Sequence, residues 1–136
     1  MRKSMLFALL TVVLVGLLTS CGADKPVVHA VLFYSPSCPH CHKVMTEDLP
    51  PLARKHGRQL RILEVDTSTE EGQLLFRAAL AHFGIDSAGV PLMVIGDVVL
   101  RGSVEIPEQL PGLIENGLAS DGIDWPAIPG FVPPGG

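Results

Sequence analysis

The sequence predicts a small α/β domain with the element order β-α-β-α-β-β-α, in which helices flank a central mixed sheet. Three observations support this fold class. VVHAVLFY, residues 27–34, is a β-branched and aromatic run with the length of a buried strand. The residues after it carry apolar side chains at helical spacing. VPLMVIGDVVLRG, residues 90–102, has two apolar runs separated by Gly96-Asp97, which is a hairpin signal.

The first helix is predicted to begin at Pro39. Proline has no N–H, and an N–H at the first helical position would have no acceptor within the helix. Steps of three and four residues place five side chains on one face of this helix: Cys41, Met45, Leu49, Leu52 and His56. Cys41 is therefore expected to face the core, while Cys38 lies at the mouth of the helix. Pro50 or Pro51 should kink the helix, and Gly57 should end it.

The remaining elements follow in order. QLRILEVD, residues 59–66, predicts a second strand, parallel to the first across the helical crossover. Ser68 and Glu71 form a capping-box pattern at the start of a second helix that Gly84 stops. A third amphipathic helix carries Leu110, Leu113, Ile114, Gly117 and Leu118, with an irregular first turn at Pro111. Residues 121–136 are half Gly or Pro, so no regular element is expected there, and Trp125 should pack this tail onto the domain.

Residues 1–20 have the features of an export signal, with basic Arg2 and Lys3 before an apolar run at residues 5–18. A helix of that length spans roughly 21 Å, less than the ~30 Å hydrocarbon core of a bilayer. A cleaved signal is therefore favoured over a membrane span. An ordinary secretory signal would satisfy this pattern.

Leu18-Thr19-Ser20-Cys21 resembles a bacterial lipobox. This resemblance implies that Cys21 is lipidated and becomes the first mature residue, so that a lipid anchor holds an exported lipoprotein to a membrane, facing the periplasm or the cell exterior. Gly22 stands where an inner-membrane retention signal would have Asp. The resulting division is a signal peptide at 1–20, a tether at 21–26, a domain at 27–120 and a tail at 121–136.

The charge and cysteine content narrow the possible functions. Loss of Arg2 and Lys3 leaves eight basic and fourteen acidic residues, a net charge of −6 with no basic cluster, so nucleic acid is not an expected partner. The chain has three cysteines, and lipidation of Cys21 would leave Cys38 and Cys41 as one pair. We expect a monomer.

A C-x-x-C spacing suits several chemistries. Cys38 and Cys41 with His40 or His42 could bind Cu(I) or Zn(II), as in an exported metal chaperone, although no second Cys/His cluster or methionine-rich stretch accompanies them. Cys38-Pro39-His40-Cys41-His42 also has the form of a c-type haem attachment site, with Met93 as a second axial ligand, but its β-α-β context argues against haem. A purely structural disulfide is disfavoured, because so short a loop constrains the unfolded chain least.

Two motifs some fifty residues apart, Cys38-Pro39-His40-Cys41 and Val90-Pro91, resemble the thioredoxin superfamily in its minimal, glutaredoxin-sized form. The resemblance covers about residues 27–120 and implies a thiol-disulfide oxidoreductase without cofactor or metal, acting on protein thiols and disulfides. Pro91 would be the cis-proline beside the redox pair, and Val90 would bind a peptide by strand addition. Cys38 would be the nucleophile, because a helix N-terminus stabilises a thiolate, and Cys41 would resolve the mixed disulfide.

The dipeptide Pro39-His40 is similar to that of oxidising DsbA-like proteins, in which His40 would stabilise the reduced form and make the disulfide a stronger oxidant. Thioredoxins have a buried acid in the strand before the motif, whereas residues 27–34 contain no Asp or Glu. GVPLMVIGD and LRGSVEIPEQLPGLIE resemble domains associated with bacterial vitamin K epoxide reductase-type proteins, which implies a quinone-linked membrane partner. A glutaredoxin-like alternative would use Gly102-Ser103 to hold the glutathione carboxylate, although an exported protein lies away from the glutathione pool.

Overall fold

The computed structural model describes residues 24–135, so the predicted signal peptide and Cys21 lie outside the described residues. The elements in chain order are β1 (Val28–Tyr34), α1 (Pro39–Lys43), a π-helical segment (Val44–Asp48), α2 (Leu49–His56), a 3-10 turn (Gly57–Gln59), β2 (Leu60–Asp66), α3 (Glu70–His82), β3 (Leu92–Ile95), β4 (Val98–Arg101) and α4 (Gly102–Leu118). The first two helices and the π-helical segment between them occupy the place of the first predicted helix. Within this part of the chain, no helix is both long enough and apolar enough to cross a bilayer.

The four strands form one mixed sheet in the order β2-β1-β3-β4. β1 pairs in parallel with β2 and antiparallel with β3, and β3 forms an antiparallel hairpin with β4 around Gly96. Gly96 has a φ of +56°, a conformation that glycine adopts without a steric penalty. The predicted α/β fold of the thioredoxin-like class, the element order and the parallel first pairing are confirmed.

Alternating side chains of β1 point to two cores on opposite faces of the sheet. One core contains Val28, Ala30 and Leu32 and is covered by the helices around the C-x-x-C motif and by α4. The other contains Val31 and Phe33 and is covered by α3 and the C-terminal tail. Because β1 is central and buried on both faces, it fixes the position of the residues that follow its carboxyl end.

The irregularity predicted at Pro50 or Pro51 takes the form of a π-helical turn. Proline has no N–H, so neither residue can donate to a carbonyl one turn earlier. The Leu49 N–H donates to the carbonyl of Val44, five residues back, which widens the helix immediately before the two prolines. Cys41 and Leu49 remain buried on the same side of the chain despite this wider turn.

The start of α3 differs from the predicted capping box. Thr69, and not Ser68, is the N-cap: the Gly72 N–H donates to Thr69 Oγ1 at 3.1 Å. Ser68 instead donates through its hydroxyl to Asp66 Oδ1 at 2.7 Å. The carboxylate at the end of β2 captures the serine in a local turn, and the helix therefore begins one residue later than the pattern indicated.

The described part of the tail, residues 121–135, forms no helix or strand but packs against the domain. Ile123 makes an isolated parallel bridge with Val28. Ile128 is buried in the second core. The Trp125 ring lies 4.6 Å from the ring of His29, centroid to centroid, so the tryptophan packs the tail onto the sheet as predicted.

Candidate active site

The sheet topology brings three distant parts of the chain to one end of the molecule. β1 and β3 are antiparallel with Phe33 opposite Leu92, so the residues after β1 lie beside those before β3. Leu92 also pairs with Arg101, which places the start of α4 at the same end. The C-x-x-C motif, Val90-Pro91 and the first turn of α4 therefore converge.

Cys38 is the N-cap of α1, and its sulfur takes the place of a capping oxygen. The Cys41 N–H donates to Cys38 Sγ at 3.2 Å. The Cys38 thiol in turn donates to the carbonyl of Val90 at 3.5 Å. Its side chain is partly exposed, so an external sulfur can approach it.

Cys41 lies one turn into the helix, where it is 1% exposed. Burial, followed by the hydrogen bond with Cys38, raises the pKa of the Cys41 thiol from 9.0 to about 11. Cys41 therefore holds its proton at neutral pH. Both cysteines are free thiols in the structure, and they differ in access, because Cys38 is partly exposed and Cys41 is buried.

The Val90–Pro91 peptide is cis. Pro91 is buried, and its carbonyl accepts a hydrogen bond from the Gly102 N–H at 2.8 Å. Val90 is half-buried, and its N–H makes no backbone hydrogen bond within residues 24–135. This part of the backbone is therefore free to pair with an extended segment from another molecule.

A shallow groove of about 260 Å³ runs beside the cis peptide, and its lining residues are Ser87, Ala88, Gly89, Val90, Pro91, Arg101 and Gly102. A cavity of about 400 Å³ lies between α2 and β2, but neither cysteine is among its lining residues. Neither cysteine lines the smaller groove either, but its lining residue Val90 accepts the hydrogen bond from the Cys38 thiol.

The two histidines of the motif have different surroundings. His40 Nδ1 lies 3.0 Å from Ser103 Oγ in the first turn of α4. His42 is exposed on the helix surface. The contact of Ser103 with His40 was not predicted, because the sequence pointed to Ser103 only as part of the Gly102-Ser103 pair of the glutaredoxin-like alternative. The hairpin topology could have indicated it, since it returns the end of β4 to the cis-proline.

The arrangement gives no support to a metal centre. Within residues 24–135, no group of three or more His, Cys, Asp or Glu side chains is placed to hold a metal ion. His40 is engaged with Ser103, and His42 is turned to the surface. The motif also lies in a β-α-β unit, unlike the helical surroundings expected for a c-type haem.

Comparisons with known proteins give matches among solved structures alone. No family model matches the sequence, and no curated protein matches it. Among solved structures, the chain is similar to the holo form of glutaredoxin C1 from Populus tremula x tremuloides, with 22% identity and a TM-score of 0.46, over 71% of this chain and 85% of that one. The fold assignment rests on the strand order and pairing of this chain.

Proposed function

We propose that this chain is a thiol-disulfide oxidoreductase in which Cys38 is the attacking and accepting sulfur and Cys41 resolves the mixed disulfide. The observation that carries the proposal is the contrast between the two sulfurs. Cys38 Sγ is partly exposed, accepts the Cys41 N–H and contacts the Val90 carbonyl. Cys41 is buried, and its thiol pKa is raised to about 11.

In the oxidising direction, a substrate thiolate attacks Cys38 Sγ of the Cys38–Cys41 disulfide. The new bond joins the substrate sulfur to Cys38, the Cys38–Cys41 bond breaks, and Cys41 takes a proton. A second substrate thiolate then attacks the first substrate sulfur and releases Cys38 as a thiolate. The substrate dithiol loses two electrons and two protons as it becomes a disulfide. The cysteine pair gains both electrons, Cys41 takes one proton, and the other proton goes to solvent.

Substrate binding is assigned to the exposed backbone before Pro91. The Cys38 thiol contacts the Val90 carbonyl at 3.5 Å, so a peptide paired with Val90 brings its own sulfur next to Cys38. Backbone pairing of this kind accepts many sequences, because side chains are not read directly. The substrate class is therefore protein thiols in extended or unfolded segments.

The oxidising direction is supported by the surroundings of Cys41. The described residues contain no buried polar or charged side chain, so no carboxylate is buried beside this thiol. In the reducing direction, Cys41 must lose its proton to attack a mixed disulfide. Its raised pKa lowers the fraction of Cys41 thiolate that could make this attack.

The cellular setting is also part of the proposal. Residues 1–20 and the lipobox-like Leu18–Cys21 support export and lipid anchoring, on the sequence features given above. The likeness to domains associated with vitamin K epoxide reductase-type proteins supports a quinone-linked membrane protein as the partner that reoxidises the pair. Substitution Cys21→Ser should move the protein from the membrane fraction to the soluble fraction. Unchanged membrane association after that substitution would contradict lipid anchoring.

The function is tested by equilibrating the purified protein with glutathione buffers and by following the oxidation of a reduced peptide that carries two cysteines. We expect a midpoint potential nearer to about −120 mV than to about −270 mV, and a peptide oxidation that Cys38→Ser abolishes. A midpoint as negative as about −270 mV would overturn the oxidising direction. Failure of the wild-type protein to exchange thiols at all would overturn the function.

A further inference from the structure

Ser103 contacts the redox motif from a different helix. Its hydroxyl lies 3.0 Å from His40 Nδ1, and the two residues are 63 positions apart in the chain. Both belong to the first turns of their helices, α1 and α4. The contact therefore joins the dipeptide between the cysteines to the segment that also supports the cis-proline.

Two hydrogen bonds at the start of α4 hold the backbone next to Ser103 in place. The preceding residue, Gly102, has a φ of +72° and donates its N–H to the Pro91 carbonyl at 2.8 Å. The Arg101 N–H donates to Glu105 Oε2, also at 2.8 Å. Since the start of α4 is tied down in this way, Ser103 offers a stationary partner to the His40 ring.

The His40 ring has no other partner that would orient it. Its side chain is exposed, and Ser103 is the residue with which it forms a side-chain hydrogen bond among the described residues. An exposed imidazole without a partner samples several rotamers. Either an Nδ1–H donates to the serine oxygen or the serine O–H donates to Nδ1, according to the ring tautomer. In both cases the bond selects one orientation of the ring.

We propose that Ser103 is a positioning residue for His40 and thereby makes the Cys38–Cys41 disulfide more oxidising. The inference rests on the proposed function. The oriented ring adds a hydrogen-bonding group at the start of α1, where Cys38 is the N-cap and carries negative charge when it attacks or leaves as a thiolate. Stabilisation of the reduced form shifts the equilibrium toward reduction of the disulfide.

The reaction to measure is the reduction of the protein disulfide by two molecules of glutathione. It yields two protein thiols and one oxidised glutathione, and its equilibrium constant is read from the fraction of reduced protein. Loss of one hydrogen bond to a polar ring should lower this constant by roughly three- to tenfold. For a two-electron couple, that change is a shift of about 15–30 mV toward more negative potential.

Two substitutions separate the hydroxyl from the shape of the side chain. Ser103→Thr retains the hydroxyl and should keep the wild-type equilibrium constant, whereas Ser103→Val replaces it with a methyl group and should show the loss. Ser103→Ala gives a third comparison. If the Ala variant fails to fold, the comparison of the Thr and Val variants tests the role of the hydroxyl. If the Thr or Val variant fails to fold, the comparison of the Ala variant with wild-type protein tests it. Ser120→Ala is the matched control, because Ser120 bonds only the Asn116 and Gly117 carbonyls at the far end of α4.

A double-mutant cycle distinguishes positioning from general damage. In a His40→Ala background, Ser103→Val should no longer change the equilibrium constant, because the group that it positions is gone. An equal shift with and without His40, or no difference between Thr and Val at position 103, would overturn the inference. Both results presuppose that wild-type protein exchanges with glutathione. A wild-type protein without exchange would instead refute the proposed function.

Discussion

The two ends of the sheet around β1 differ in whether their backbone hydrogen-bonding groups are paired. At the amino end, the protein supplies its own partner: the His29 N–H donates to the Ile123 carbonyl at 2.9 Å, and the Ile123 N–H donates to the Val27 carbonyl at 2.9 Å. The His29 ring adds an Nδ1–H bond to the same carbonyl at 2.8 Å. At the carboxyl end, the Val90 N–H makes no backbone hydrogen bond within residues 24–135, and Val90 lies beside the partly exposed Cys38.

This difference separates stability from chemistry within one small domain. The tail closes one end by adding a short bridge, as a bound peptide would at the other end. Changes at the closed end should therefore alter the free energy of unfolding with little effect on thiol exchange, and changes at the open end should do the reverse.

The largest effect is expected from Cys38→Ser at the open end. Oxidation of a reduced dithiol peptide should fall to the uncatalysed rate, because a hydroxyl cannot form the disulfide. The reduced variant should unfold at the same urea concentration as reduced wild-type protein, since Cys38 is only partly buried. Retained catalysis in this variant would mean that another group accepts the substrate sulfur.

Gly122→Ala should have the largest effect at the closed end. Gly122 has a φ of +92°, and an added Cβ would lie 2.9 Å from the Val27 nitrogen. We expect a loss of roughly 2 kcal/mol or more in the free energy of unfolding, measured with urea. Gly130→Ala is the matched control, because Gly130 has a φ of +81° but nothing within 4 Å of an added Cβ. It should cost only about 1–2 kcal/mol.

The same pair of glycine variants tests whether the two ends are independent. Both should keep the wild-type equilibrium constant with glutathione, because neither touches the residues around Cys38. A redox shift that grows with the loss of stability would contradict the separation between the two ends.

Burial of Cys41 predicts a pH dependence of the reduced protein. The folded pKa of this thiol is raised from 9.0 to about 11, so its burial stabilises the folded state below pH 9, and that contribution is lost as the pH rises through about 11. The loss should be on the order of 2 kcal/mol. Urea unfolding of wild-type protein and Cys41→Ala across this range measures it as a difference. Parallel stability curves for the two proteins would show that Cys41 does not carry the effect.

The smallest effect is expected from His42→Ala. His42 is exposed, and its backbone carbonyl, which any residue retains, accepts from Thr46 Oγ1 at 2.8 Å. Neither stability nor the glutathione equilibrium should change measurably, in contrast to His40→Ala. Loss of bound copper or zinc on His42→Ala, in protein isolated with metal, would instead revive the metal-chaperone interpretation.

Much of the fold followed from local patterns. The strand before the motif, the hairpin around Gly96-Asp97 and the buried face of Cys41 each depend on a few neighbouring residues, and all three are present in the structure. The predicted N-cap of α3 was wrong by one residue, because the Ser68 hydroxyl donates to the Asp66 carboxylate instead.

Contacts between distant segments were harder to predict. The pairing of Ile123 with Val28 joins residues of an irregular tail to the first strand, and no periodicity marks it. The contact of Ser103 with His40 depends on how tightly the start of α4 is held against Pro91. Both contacts are set by tertiary packing. The cysteine pair, in contrast, could be identified from the C-x-x-C motif alone.

The central claim is that Cys38, and not Cys41, is the sulfur that meets the substrate. It is tested most directly by incubating the Cys38→Ser and Cys41→Ser variants with oxidised glutathione near neutral pH and measuring the rate of adduct formation on each by mass spectrometry. We expect Cys41→Ser to form a mixed disulfide at Cys38 rapidly and Cys38→Ser to react far more slowly. Equal rates, or faster adduct formation at Cys41, would contradict it.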